Sequence, residues 1–194
     1  MAKVLLGSVV ASIAMFLLSF VFHATPLERL SRGSLDDNGA TVVQQTLART
    51  GLETGTYFVP STDTAAQTSL FARGPVATIH YNSRGFPAVD AGALTGGLIL
   101  FFVVALLMGA ALIGIDRRVP DTGSRVRLAV LFAVAGAAFC NLREPLFFHH
   151  PWGRFLYTFA ADAAVLALGA YILARWFLPR HAAATEDAPS VQEV

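Results

Sequence analysis

Apolar residues gather in four long runs along this chain, at 4–22, 91–115, 127–148 and 155–178, and polar positions fill the intervals. A helix rises about 1.5 Å per residue and needs roughly 20 mostly apolar residues to cross a bilayer. Each run has about that length, so the pattern predicts a membrane all-α fold: a four-transmembrane-helix bundle with a small α+β module between helices 1 and 2. The segments follow as transmembrane helix 1 (1–23), the module (24–90), helix 2 (91–115), a loop (116–126), helix 3 (127–148), a turn (149–154), helix 4 (155–178) and a tail (179–194). The tail holds Ala and Pro with Glu186, Asp187 and Glu193 but no apolar periodicity, which predicts disorder.

Punctuation within the module is readable. Asp37 or Asn38 caps a helix over 40–49, whose apolar stripe is Val42, Val43, Leu47 and Ala48, and Gly51 ends it. The run 54–59 is rich in β-formers, and Pro60 stops it. Asp63 caps a second helix over 64–73, Gly74 and Pro75 terminate it, and a second strand spans 76–81. Asn82-Ser83-Arg84-Gly85 then makes a turn. The order helix, strand, helix, strand predicts a two-stranded ribbon covered by the helices, with its edges open to a partner strand.

Composition agrees with the membrane class. Hydrophobic residues make up 55% and charged residues 14%, against roughly 25% charged in a soluble domain, and the mean hydropathy is +0.57. A net charge of +1, with no basic stripe interleaved with aromatics, excludes nucleic acid as a partner. The single cysteine, Cys140, excludes an intrachain disulfide and any Cys-based zinc motif.

The first run begins after Lys3 like a signal peptide, but about 19 apolar residues exceed an h-region of roughly 7–15. A cut after Ala24 would also put Phe22 where a small residue is needed, so an uncleaved anchor is predicted. Arg117, Arg118, Arg125 and Arg127 cluster about the 116–126 loop, whereas the 143–154 connection carries only Arg143 and Arg154. The positive-inside rule therefore places that loop, Lys3 and both termini in the cytoplasm and 24–90 outside. Trp152 and Trp176, about 36 Å apart on a helix, read as interfacial anchors. Small-xxx-small pairs, Gly7 with Ala11, Ser8 with Ser12, Gly92 with Gly96, Ala133 with Ala137 and Ala163 with Ala167, favour close helix packing.

Chemistry has two candidate locations. Asp162 falls near the middle of helix 4, where a bare carboxylate costs at least ~2.5 kcal/mol, so it calls for a partner, and Arg143, Asn141 and Glu144 lie in the same layer of helix 3. An Arg143–Asp162 pair serves either helix register or proton and ion coupling. Four of the five histidines, His23, His80, His149 and His150, fall on the predicted outer side, where imidazoles can take a metal or fill an interfacial turn. No G-x-S-x-G, H-E-x-x-H, Walker or G-x-G-x-x-G pattern is present, so neither catalysis nor a cofactor is predicted.

The Gly55-x-Tyr57-x-x-Pro60 element, the Gly74-Pro75-x-Ala77 element opening a strand that ends at Tyr81, and Gly85-x-Pro87 before helix 2 form a recognisable set. Together they resemble an uncharacterised family of small bacterial inner-membrane proteins with four transmembrane helices. That resemblance implies topology and a bacterial inner-membrane location. The functional expectation is an accessory protein that presents its module to a membrane or periplasmic partner, with a small transporter centred on Asp162 and Arg143, or a metal-binding protein, as alternatives.

Overall fold

The computed structural model describes residues 2–178. Its elements are α1 (Ala2–His23), a 3-10 turn (Pro26–Ser31), α2 (Asp37–Arg49), β1 (Gly55–Val59), α3 (Ala65–Arg73), β2 (Ala77–Tyr81), α4 (Ala91–Ile115), α5 (Thr122–Phe148), α6 (Trp152–Ile172) and a π-helical turn (Leu173–Phe177) that continues α6. Among the described residues, four helices are long and apolar enough to cross a membrane: α1, α4, α5 and α6 with its π turn. The chain divides into two compact units, Met1–Gly33 with Ala91–Val194, and Ser34–Asp90.

In the helical unit, neighbours run in the order α4, α1, α6, α5. Adjacent helices are antiparallel, as three contacts show: Phe16 of α1 meets Phe101 of α4 edge-on at 6.3 Å, Tyr157 near the start of α6 donates its hydroxyl to the Phe22 carbonyl near the end of α1, and Asn141 of α5 bonds Asp162 of α6. Small residues make these approaches possible. Gly7, Ser8, Ala11 and Ser12 are all buried on α1, as are Ala133 and Ala137 on α5, so three of the five expected small-residue pairs lie in helix interfaces. Gly92 with Gly96 and Ala163 with Ala167 are not among the buried residues of their helices. Gly169 on α6 takes that role instead, because a Cβ there would run into the Met15 side chain of α1.

The core lies where the π turn meets the other helices. Ala11, Ala105, Leu112, Ile172, Leu173, Ala174 and Leu178 form one buried cluster drawn from α1, α4 and the end of α6. Arg125, also fully buried, donates Nη2 to the Pro120 carbonyl at 3.0 Å. Such an arginine belongs to the packing as much as to the charge count.

Several boundaries differ from expectation for local reasons. α5 starts at Thr122 rather than 127, because Asp121 adopts an extended conformation and accepts from the Ser124 N–H at 2.6 Å. Arg125 is therefore helical rather than in the loop. α6 starts at Trp152 rather than 155, directly after Pro151, which shortens the expected turn. The expected tail, 179–194, lies outside the described residues.

The second unit has the predicted element order. Its caps are displaced by one residue: Asp36 rather than Asp37 or Asn38 accepts from Gly39 N–H at 2.7 Å, which leaves Asp37 in the first turn where the helix dipole favours an anion. Thr64 rather than Asp63 caps α3, its hydroxyl accepting from the Gln67 N–H at 3.2 Å. β1 and β2 pair antiparallel in the register Gly55↔Tyr81 to Val59↔Ala77. Gly74 ends α3 at φ +67°, a conformation that favours glycine. The expected covering of the ribbon is not formed, for no residue from 34 to 90 is buried. Nine- and thirteen-residue helices with so few large apolar side chains cannot enclose a ribbon.

Candidate functional site

Asp162 sits ten residues after Trp152, about 15 Å along α6. The Asn141 amide of α5 donates Nδ2 to Asp162 Oδ2 at 2.9 Å and to its own helix at the Ala137 carbonyl at 3.0 Å. Those two bonds use both amide hydrogens and fix the orientation of the side chain. Pro145, inside α5, has no N–H for the Asn141 carbonyl four residues earlier, so the same residue marks a break in the helix ladder. Asp162 also lines a cavity of about 150 Å³ with Phe101, Gly136, Ala137, Cys140, Val165 and Leu166. The Asn141–Asp162 bond joins α5 to α6.

The expected Arg143–Asp162 pair is not. Residues two apart on a helix point about 200° from one another, so with Asn141 turned to α6, Arg143 faces away. Its guanidinium lies 3.6 Å from Glu144 and 5.9 Å from the centre of the Phe139 ring. Glu144 reaches in the other direction to His150 Nδ1 at 3.8 Å, and the His150 ring is stacked between Phe148 and Phe155 at 5.8 and 5.5 Å. The predicted polar layer is thus two groups: Asn141 with Asp162 between the helices, and Arg143, Glu144 and His150 about the α5–α6 turn.

The four histidines predicted outside each have their own local setting. His149 ends α5 in the left-handed conformation at φ 54°, His150 is held by Glu144 and two phenylalanines, His23 packs edge-on to Tyr157 at 6.4 Å, and His80 bonds Thr56 across the ribbon at 3.0 Å. Among the described residues, no three His, Cys, Asp or Glu side chains are placed to hold a metal ion.

One cluster escaped sequence reasoning. Arg154 Nη1 donates to Glu28 Oε1 at 3.1 Å and to Ser31 Oγ at 3.2 Å, and Arg32 approaches Glu28 at 3.7 Å, tying the 3-10 turn after α1 to the first turn of α6. Glu28 and Arg154 are 126 residues apart, and only the antiparallel packing of α1 on α6 joins them.

On the ribbon, directly opposed residues share a face. Thr56, Phe58, Thr78 and His80 occupy one face, and Phe58 is 55% exposed. Val59, Leu70, Phe71, Val76 and Phe86 of the same unit are exposed as well. Of the motif residues, Gly55 opens β1 and pairs with Tyr81, and Tyr57 donates its hydroxyl to the Glu53 carbonyl at 2.9 Å. Pro60 follows β1, and Gly74 with Pro75 separates α3 from β2, so the motif builds turns and ribbon ends. No protein-family model, curated protein or solved structure matches the chain.

Proposed function

We propose that this chain is a multi-pass accessory protein of the bacterial inner membrane, without catalytic chemistry of its own, whose module completes its fold on a partner protein. The observation that carries this reading is the absence of any buried residue between 34 and 90, in a unit that exposes Phe58, Leu70, Phe71 and Val76. A two-stranded ribbon is marginal by itself in water. Exposed apolar surface and two unpaired strand edges suit a contact surface. The side of the membrane follows from Arg117 and Arg118 in the short connection between α4 and α5, which favours that connection in the cytoplasm and the module in the periplasm.

The test is purification of the full chain from native membranes after mild cross-linking. A stoichiometric protein should accompany it, and Phe58→Glu should release that protein while leaving the helical unit folded. Recovery of the chain alone, with or without Phe58→Glu, contradicts the proposal.

A further inference from the structure

We propose that the cleft between α4 and α5 is a binding site for a lipophilic organic cation, whose charge pairs with Asp162 and whose apolar body lies along the cleft. α1 and α6 hold the bundle together, and α4 and α5 stand apart over α6. Two chambers occupy the gap. One, of about 150 Å³, contains Asp162 and is walled by Phe101 of α4 and Gly136 of α5. The other, of about 320 Å³, continues toward Ile115 of α4 and Leu128 of α5. Leu166 on the floor lines both, so the two chambers adjoin along α6.

Chemistry selects the occupant. All the side chains lining the larger chamber are apolar, and Asp162 is the one charged residue type in either. Its Oδ2 is held by Asn141, whose two hydrogens are both used, and among the described residues Oδ1 accepts no hydrogen bond. Arg143, the nearest arginine in sequence to Asn141, is engaged by Glu144. A carboxylate in apolar surroundings with an unused oxygen favours a positive charge beside it. A bare metal ion would need several oxygen ligands, and one carboxylate cannot supply them. The positive group must therefore bring its own apolar body, and a chamber of about 320 Å³ is of small-molecule size. The α5 wall leaves room: a Cβ on Gly136 meets nothing within 4 Å. This inference is independent of the role proposed for the module, and either can fail alone.

The test uses the full chain in nanodiscs of zwitterionic phosphatidylcholine, with tetraphenylphosphonium as the probe. Saturable binding is expected. Asp162→Asn should weaken it about tenfold or more, and Asp162→Glu should keep most of it. Gly136→Phe, which fills open space without touching the carboxyl, should weaken it as well, so the proposal is testable even if Asp162→Asn does not fold. Bound probe should also slow maleimide labelling of Cys140, the single cysteine, which lines the same chamber. Absence of saturable binding, unchanged affinity in Asp162→Asn or Gly136→Phe, or unprotected Cys140 would overturn the proposal. So would equal competition by uncharged tetraphenylsilane, which would mark the cleft as a groove for lipid chains.

Discussion

The helical unit and the module both expose large apolar side chains, and the same exposure means different things in each. Phe132, Phe139 and Leu107 stand out from helices long and apolar enough for a membrane, where hydrocarbon is the natural surrounding. Phe58, Leu70 and Phe71 stand out from a ribbon and a nine-residue helix in a unit of polar turns, with no element long and apolar enough for a membrane. Within the helical unit, small residues and one buried cluster around the π turn supply the packing. The module has caps, turns and a strand register but no core, so its local structure is specified while its burial is not. Local signals and core formation are thus separable in one chain.

Substitutions sharpen this contrast. Gly169→Leu drives a side chain into Met15 and should cost about 1–3 kcal/mol or more of helical-unit stability, read by thermal denaturation in detergent. The caps of α2 and α3 should keep their amide protection in that variant. Asn141→Leu strips Asp162 of its donor and should cost about 1–3 kcal/mol, whereas Asn141→Leu with Asp162→Leu should recover most of that loss. If the double variant is as unstable as the single one, the bond is not what joins α5 to α6. Tyr157→Phe, which removes the bond to the Phe22 carbonyl, should cost about 1 kcal/mol by the same measurement.

Smaller effects fall at exposed positions. Phe58→Glu should change the stability of the purified protein by less than ~0.5 kcal/mol, since nothing buried is lost. A larger loss would reveal a core in the module. The Ser124 N–H holds the Asp121 carboxyl below its usual 3.8. A lowered value means that the cap stabilises α5 above the unfolded carboxylate range and that this contribution disappears as pH falls through the folded value. Amide exchange at Ser124 should therefore rise in acid relative to the middle of α5, and Asp121→Ala should remove that pH dependence.

Much of the architecture was legible because it rests on run length and punctuation. α4 has the predicted bounds, and both strands and both module helices lie within a few residues of expectation, because apolar runs, Gly and Pro act locally. Caps were less legible, since Asp36, Asp37 and Asn38 are all competent acceptors and only the chain path selects among them. Helix faces were harder still. Spacing four apart places Ala163 and Ala167 on one face without saying whether that face meets a helix, and Gly169 gave no such signal. Asn141 and Asp162 stand out in the sequence as polar residues in apolar runs, but which residue of α5 meets Asp162 depends on the turn of the helix, which carries Arg143 away from Asn141. The cluster of Glu28 and Arg154 depends wholly on tertiary packing.

Whether the module completes its fold on a partner is decided by amide hydrogen exchange over residues 34–90, comparing purified protein with the same protein in native membranes. Fast exchange is expected along β1 and β2 in the purified state and marked protection in native membranes, lost again on Phe58→Glu. Strong protection already present in the purified protein, or equally fast exchange in both preparations, would contradict it.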